Sequence, residues 1–439
     1  MKNMKKTLTI SLIGIMISSM VFGGCTKSPA TQPGASAAPA KNTTLRVGWW
    51  GNTTRNERTQ KVFDLYSKKF PNVTFEGEVV AWDGYWDKLA TQTAANMLPD
   101  IIQQDYSYIG QYIDKKLLED LNPYVKNGLL DTKDVNKDIL ASGTKNGGLF
   151  ALSLGTNTQC ILLDKAAFDK AGIKIPDFSW TWKDFEDTAG KLVTTVKLPS
   201  EPVFFSNPKM LLEYMARQQG KPLYKADGTA LGFDDPKVIE DMLTRALNLT
   251  KSGVYVKPDS LVSVKATEDN PIVKGTAAIG SAWSNQYVAY SQAAKRELVL
   301  MSFPTDGGKP GQYLKPSMFF SVTSKSENKD EAVKFINYFT NDIDANAILL
   351  AERGVPISSK VRDGIKSKVD KDTQATFDFV GAAEKFTSPI DPPEPTGAGE
   401  IQTIVKTVYD EVVFQKTTPK DGAAKIFKQC NDVLAKNKK

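Results

Sequence analysis

The sequence predicts an α/β protein built from two domains. A chain of 439 residues is longer than one hydrophobic core usually supports. From residue 45 onward, apolar patterns read strand (45–51), helix (57–70), strand (73–79), helix (after 81–86) and strand (101–102). This order is typical of a largely parallel sheet with right-handed crossovers. Similar patterns between residues 158 and 305 predict a second α/β domain.

Composition excludes several classes of function. Hydrophobic content of 41% and charged content of 24% are ordinary for a globular protein. Of the formal net charge of +6, three units lie on Lys2, Lys5 and Lys6, and the remaining +3 is too weak to indicate nucleic-acid binding. The chain has no histidine, which removes the commonest general base and zinc ligand. We therefore expect no catalytic triad, no metal site and no cofactor.

The N-terminus has the pattern of an exported lipoprotein. A basic start (1–6) and an uncharged apolar run (7–22) lead to Phe22-Gly-Gly-Cys25, which resembles a lipobox, although Phe22 replaces the usual leucine. We expect a signal peptide over 1–24, a lipid on Cys25 and a flexible Pro/Ala/Ser-rich tether over 25–44. The alternative is an ordinary cleaved signal with an incidental cysteine.

The two remaining cysteines leave two possibilities open. An exported protein permits a disulfide between Cys160 and Cys430. However, Cys160 lies in the apolar run 159–163, so two buried free thiols are an equally good interpretation. With no histidine to activate a thiol, we expect neither cysteine to be catalytic.

Residues 81–105 carry the strongest signal for a site. Asp83 is a possible N-cap, Pro99 a helix stop, and Gln104 and Asp105 end a short buried strand. The apolar face predicted for the intervening helix consists of Trp86, Leu89, Ala90, Thr93 and Met97. Ligands of open α/β sheets bind at the carboxyl edge of the strands. Aromatic and planar polar side chains at that edge suit a sugar, which has apolar faces and a rim of hydroxyls.

Several motifs in order resemble the extracellular solute-binding proteins of carbohydrate ABC transporters, the family that includes maltose-binding protein. The resemblance runs from residue 45 to the C-terminus. Its marks are Val47-Gly-Trp-Trp50, the turn from Trp82 to Trp86, Leu98-Pro-Asp-Ile101, 117–121, Asn157 to Asp164, Thr181-Trp-Lys-Asp-Phe185, Gly275 to Ile279 with Trp283, and Lys329 to Ile336.

This resemblance implies a type II periplasmic-binding-protein-like fold with two discontinuous lobes, each a mixed sheet flanked by helices. The expected boundaries are 45–153 plus 312–345 for lobe 1 and 158–305 plus 350–439 for lobe 2. The expected hinge crossings are 154–157, 306–311 and 346–349. A sugar would bind in the cleft of a monomer held by lipid at the extracytoplasmic face of the membrane, and an ABC permease would receive it.

Each candidate ligand residue has a structural alternative. In lobe 1, Trp50 could face the cleft while Trp49 packs in the core, because adjacent strand residues face opposite ways. Trp82 and Tyr85 lie off the predicted apolar face, whereas Trp86 reads as core. Asp83 could cap its helix instead of binding, and loop contacts could occupy the polar strand end, which comprises Gln104, Asp105 and Tyr106.

Four further candidates come from the rest of the chain. Trp283 follows the glycine turn by which relatives approach the cleft, so we expect it to stack on the ligand. Asn157 stands where relatives often carry a polar residue. Asn285 could instead cap a helix, and Arg353 could form a surface ion pair instead of contacting an acidic sugar.

The preferred function is a non-enzymatic binding subunit of a carbohydrate importer, and the number of aromatics favours an oligosaccharide. One alternative is a secreted glycoside hydrolase or lyase that uses Asp83, Asp105 or Glu352 as paired carboxylates. Another is a sensor of the same fold that presents its ligand to a membrane kinase.

Overall fold

The computed structural model describes residues 42–264 and 266–437, without the side chain of Asp83. The predicted signal peptide, the lipidation site Cys25 and nearly all of the tether therefore lie outside the described residues.

Strands and helices alternate over about the first 75 described residues and occur in longer runs of one type after that. The strands are β1 Thr43–Trp50, β2 Val73–Val80, β3 Ile101–Gln104, β4 Thr144–Lys145, β5 Gly148–Leu149, β6 Leu152–Ser153, β7 Thr156–Asn157, β8 Gln159–Asp164, β9 Ile279–Trp283, β10 Leu298–Met301, β11 Lys315–Pro316 and β12 Phe319–Val322. The helices of the first half are α1 Thr53–Lys69, α2 Trp82–Ala94, α3 Tyr106–Asp114, α4 Asn122–Lys126, α5 Lys137–Ser142, α6 Lys165–Ala171, α7 Trp182–Val196 and α8 Pro208–Gln218. Those of the second half are α9 Lys237–Lys251, α10 Pro258–Val262, α11 Pro271–Lys274, α12 Tyr287–Ala294, α13 Lys329–Asn341, α14 Ile343–Leu349, α15 Ser359–Ile365, α16 Lys371–Ala383, α17 Ala398–Val413 and α18 Pro419–Ala435.

Two sheets define two lobes. The first has the strand order β2-β1-β3-β12-β6, in which β1 runs parallel to β2 and β3 while β12 is antiparallel to β3 and β6. The second has the order β10-β8-β9 and is antiparallel. The predicted α/β class and two-lobed architecture are confirmed. The first sheet is mixed, as expected, whereas the paired strands of the second sheet are all antiparallel instead of mixed.

Hydrophobic clusters pack against both faces of the central strands. In β8, Cys160 and Leu162 belong to one hydrophobic cluster, whereas Ile161 and Leu163 belong to the other. This alternation is the period of two expected of a strand. Cys430 belongs to the second cluster, and both it and Cys160 are buried free thiols. The structure thus favours the free-thiol interpretation over the disulfide.

Three extended segments lie side by side where the chain passes between the sheets. β7 pairs with β11, and Thr156 also forms a bridge with Val355. Gly155 is required at this point because a Cβ there would lie 2.1 Å from the carbonyl oxygen of Arg353. We propose that the chain crosses first at the expected 154–157 and a second time at β11, beyond the expected 306–311.

The third crossing also falls later in these contacts than the expected 346–349. Ser358 forms a bridge with Val135, and α15 packs against α14, which itself packs against α1 of lobe 1. The chain first returns to lobe 2 at α16, which packs against α12 and β10. We therefore propose that lobe 1 continues to about Ile365, and the remaining boundaries stay predictions.

The predicted apolar face of α2 is only partly correct: Leu89 is buried and Trp86 packs half-buried against the core, but Ala90 and Met97 do not. The helix begins at Trp82 with Ala81 as its N-cap, so Asp83 lies in the first turn and is not the cap. Tyr85 and Leu89 are its buried residues, whereas Ala90 is exposed and Met97 lies beyond the helix with 60% of its surface exposed. The register follows Tyr85, whose hydroxyl donates to the carbonyl oxygens of Gly48 and Gln103 at 3.1 and 2.8 Å.

Within residues 42–264 and 266–437, every helix is too short or too polar to cross a membrane.

Candidate functional site

A cavity of about 920 Å³ lies between the two lobes, beside the crossings. Lobe 1 contributes the first turns of α1 and α3, and lobe 2 contributes α8 and the end of β9. β11 and the segment 350–355 after α14 line it at the crossings, and α16 and a proline-rich loop (388–397) enclose it. The principal polar and aromatic lining residues are Arg55, Asp105, Tyr106, Asn157, Asn207, Lys209, Glu213, Tyr224, Trp283, Asn285, Tyr313, Lys315, Glu352, Arg353, Asp391 and Glu394.

The cavity brings together a little over half of the residues predicted from sequence. Those that line it are Asp105, Tyr106, Asn157, Trp283, Asn285 and Arg353. Trp50, Trp82, Tyr85 and Gln104 are not among its lining residues, and the side chain of Asp83 lies outside the description. The predicted edge of the first sheet is therefore correct, but only its β3–α3 end reaches the cavity.

Trp50 and Tyr85 are core residues, which corrects the sequence-based expectation. Trp50 is 8% exposed and packs edge-on against Trp82 and Tyr85, at ring-centroid distances of 5.0 and 5.1 Å. Trp49 is also buried, on the opposite face, against Phe63. Both tryptophans are buried because helices cover both faces of a parallel sheet.

Trp82 and Gln104 lie outside the cavity lining for different reasons. Trp82 is 42% exposed and packs against Trp86 and Tyr108. Gln104 is fully buried, and neither atom of its amide has a hydrogen-bond partner among the described residues.

Arg353 is a buried structural residue and not the surface ion pair considered from sequence. Its guanidinium donates to Thr59 Oγ1 at 2.9 Å and Gln103 Oε1 at 3.3 Å, and it lies 3.4 Å from Glu352. Burial lowers the pKa of Arg353 to about 9, which keeps it charged at neutral pH. Glu352 also pairs with Arg55 at 2.9 Å. The network fixes the cavity wall where the crossings meet.

Buried polar atoms without partners lie in the cavity wall. Asn157 Oδ1, Asn207 Oδ1, the Tyr224 hydroxyl and Asp391 Oδ2 have no hydrogen-bond partner within the described part of the chain. An unpaired buried polar group costs roughly 1–3 kcal/mol. Three of these atoms can only accept a hydrogen bond, so they suit a ligand that supplies several donors.

An aromatic wall stands at the end of β9. Trp283 is half-buried, and its ring lies 6.1 Å from that of Tyr313 at an interplanar angle of 62°. The ammonium of Lys315 lies 5.3 Å from the Trp283 ring centroid, within cation–π distance. Trp283 and Tyr313 thus offer flat apolar surface next to the unpaired polar atoms.

A charged face of α8 opposes the proline-rich loop. Lys209 forms an ion pair with Glu394, and Arg217 pairs with Asp391 at 2.6 Å. The Tyr106 hydroxyl of lobe 1 donates to the Asp391 carbonyl oxygen at 2.6 Å, so the loop bridges the lobes.

The charged face of α8 was not among the sites predicted from the sequence. The spacing of Lys209, Glu213 and Arg217 at i, i+4 and i+8 was a usable signal, since it puts all three on one side of a helix. Their partners lie more than 170 residues away in sequence, beyond any local pattern.

Glu213 lies between the two cations and lines the cavity without a hydrogen bond or ion pair among the described residues. Burial, and then the nearby Asp391 carboxylate, raise the pKa of Glu213 to about 7. Its charge is therefore sensitive to pH near neutrality.

The chain is similar to known proteins both in sequence and in fold. The family model described as bacterial extracellular solute-binding protein matches residues 50–345. A solved extracellular solute-binding protein family 1 structure from Alicyclobacillus acidocaldarius subsp. acidocaldarius DSM 446 is 30% identical, with a TM-score of 0.85 over 91% of this chain and 100% of that one. A periplasmic oligogalacturonide-binding protein from Yersinia enterocolitica has a TM-score of 0.75 at 20% identity, over 90% of this chain and 100% of that one.

The curated relatives match a shorter stretch. A binding protein of Brucella abortus (strain 2308) is 25% identical over 152 residues, so the match spans about a third of each protein, 33% of this chain and 35% of the relative. The family match covers most of the two-lobed chain, including the β3–α3 edge and the β9 wall of the cavity. The chain belongs to the bacterial extracellular solute-binding protein family.

Proposed function

We propose that this protein is the substrate-binding subunit of an ABC importer and that it binds an oligosaccharide between its lobes. The observation that carries the proposal is the combination of unpaired acceptors and aromatic surface in one cavity. Sugar hydroxyls would donate to Asn157, Asn207 and Asp391, while an apolar sugar face would stack on Trp283.

The size of the cavity favours more than one sugar ring. Its volume of about 920 Å³ is near the upper end of the range of roughly 300–1,000 Å³ for small-molecule pockets. The Yersinia enterocolitica neighbour is named for binding an oligogalacturonide. The similarity to that neighbour is one of fold. The proposal that this chain binds an oligosaccharide therefore depends on the residues of its own cavity.

Two of the three carboxylates considered for the hydrolase alternative are already held by protein groups. Glu352 is held by Arg55 and Arg353, and Asp105 accepts from the Ser107 amide as the N-cap of α3. Asp83 lies in the first turn of α2, a helix none of whose described side chains lines the cavity. Catalytic carboxylates must be free to reach a glycosidic bond, so we propose a binding protein without enzymatic activity.

The proposal extends to location and partners. We propose that Cys25 carries the lipid, that 26–44 tether the folded part to the extracytoplasmic face of the membrane, and that the protein acts as a monomer. Closure of the lobes on the sugar would give the permease a state that it recognises. A sensor that presents the same ligand to a membrane kinase would use the same site.

A thermal-shift screen tests the ligand class. The folded part from Thr43 onward would be screened against plant and bacterial oligosaccharides, with amino acids and polyamines as controls. A ligand at about 1,000 times its Kd adds about 4 kcal/mol of stability. Stabilisation by oligosaccharides supports the proposal, and stabilisation by amino acids or polyamines alone would overturn it.

A further inference from the structure

We propose that Glu213 is a specificity-determining residue and that, through it, the cavity prefers a neutral oligosaccharide over an acidic one. This inference rests on the proposed function, because it concerns which sugars the same cavity accepts. It also separates this chain from what the name of its Yersinia enterocolitica neighbour would suggest, since an oligogalacturonide is an anion.

The cations of the cavity wall are mostly committed to protein acids. Arg55 and Arg353 share Glu352, and Lys209 pairs with Glu394. Lys315 is the exception among the described lining residues: it lies over the Trp283 ring and forms no ion pair. A chain of sugar carboxylates would therefore meet one available cation.

Glu213 faces the cavity in a mixed environment. Lys209 and Arg217 flank it on α8, but each is already paired with an acid of the proline-rich loop, which also presents Asp391 and Glu394. The phenols of Tyr106, Tyr224 and Tyr313 complete the titratable groups around it. Glu213 thus adds a carboxylate without an ion pair of its own, next to cations that already pair with other acids.

An available carboxylate discriminates between sugar types in two ways. It accepts a hydrogen bond from a neutral sugar hydroxyl, and such charge-assisted bonds are stronger than neutral ones. It also repels a sugar carboxylate in the same position, in a cavity where little water screens the charges. Both effects act in the same direction and raise the preference for the neutral sugar.

The ionisation of Glu213 makes this preference depend on pH. Burial raises its pKa to about 7, while burial also raises the pKa of the three phenols far above neutrality. Lowering the pH from about 8 to about 6 protonates Glu213, so the hydroxyl loses a charged acceptor and the acidic sugar loses a repulsion. The preference should therefore shrink as the pH falls.

Matched sugars provide the test. Calorimetric titrations at about pH 6 and about pH 8 would compare three pairs that differ at C6: α-1,4-galactotriose with trigalacturonate, β-1,4-mannotriose with trimannuronate, and maltotriose with its fully C6-oxidised form. The proteins are the wild type, Glu213→Gln and, as a matched control, Glu327→Gln, which changes an exposed glutamate outside the cavity lining.

For a pair that binds, we expect the neutral member to bind at least about 10-fold more tightly at the higher pH. That ratio should fall at least about threefold at the lower pH and in Glu213→Gln, and stay unchanged in Glu327→Gln. Tighter or equal binding of the acidic member to the wild type would overturn the inference while leaving carbohydrate binding intact. A ratio that does not depend on pH would also overturn it, without relying on the folding of any variant. If oligosaccharides fail to bind altogether, the proposed function itself is wrong.

Discussion

Trp283→Ala should weaken ligand binding strongly and leave the ligand-free protein nearly as stable as before. Trp283 ends the edge strand β9, where its backbone pairs with Gln159. Its ring is half-buried against Tyr313 and under Lys315, with the cavity on its open side. A sugar stacked there would lose roughly 1–3 kcal/mol, by analogy with aromatic–base stacks, which raises Kd about 5- to 150-fold.

The effect on folding should be small because the strand pairing uses only backbone groups. A loss of about 1 kcal/mol lowers Tm by only about 1 °C in a chain of this size, taking about 2.1 cal/mol/K of unfolding entropy per residue. The assay is a calorimetric titration with the best oligosaccharide from the screen, together with a melting curve of the ligand-free variant.

Trp82→Ala is the matched control. Trp82 was an equally strong candidate from sequence, and it is 42% exposed, but it lies outside the cavity lining. Its loss should leave Kd within about twofold of the wild type. An unchanged Kd in Trp283→Ala, or equal weakening in both variants, would refute the placement of the ligand against β9.

Three further substitutions test the polar groups. Tyr224→Phe removes a buried hydroxyl without a protein partner among the described residues; calorimetry should show an affinity about 2- to 10-fold lower, and melting a Tm that is unchanged or higher. Arg353→Met leaves Glu352, Thr59 and Gln103 without its guanidinium, and denaturant unfolding should show a loss of about 3–5 kcal/mol; a smaller change would mean that Arg55 alone satisfies Glu352. Burial raises the pKa of Glu201 from 4.5 to about 8, so the stability it contributes is complete below about pH 4.5 and lost as the pH rises through about 8. Between about pH 5 and 8, Tm should fall less steeply in Glu201→Gln than in the wild type, and parallel curves would contradict the shift.

Local patterns in the sequence predicted much of the framework. The order of strands and helices, the carboxyl edge at Asp105 and the tryptophan at the end of β9 each depend on a short stretch of chain. Asn52 and Asp105 act as N-caps because they directly precede their helices and accept from the amides of Arg55 and Ser107.

The errors arose where packing between distant elements decides the outcome. Trp86 and Tyr85 are adjacent aromatics on α2, and the hydrophobic pattern alone favoured Trp86 as the core residue. The structure leaves Trp86 half-buried against the core and buries Tyr85 fully, because the Tyr85 hydroxyl reaches carbonyl oxygens of two neighbouring strands. A buried hydroxyl requires such partners, and strand register is not visible in the helix sequence.

The polar half of the cavity was the least predictable. Glu213 lies in the middle of an ordinary amphipathic helix. It is unusual because acids of the proline-rich loop form ion pairs with its neighbours Lys209 and Arg217. Asn207 and Tyr224 stand out only because their buried oxygens have no partners in the described structure. Such features follow from the tertiary arrangement of residues far apart in the chain.

If the proposed function is correct, the cavity between the lobes binds an oligosaccharide reversibly and leaves it chemically unchanged. The most direct measurement is a calorimetric titration with the most stabilising oligosaccharide, followed by recovery of the sugar after long incubation and its analysis by mass spectrometry. We predict about one site per chain, a Kd in the micromolar range or tighter, and sugar recovered unchanged. Recovery of shorter or unsaturated products, or the absence of saturable binding, would contradict the account.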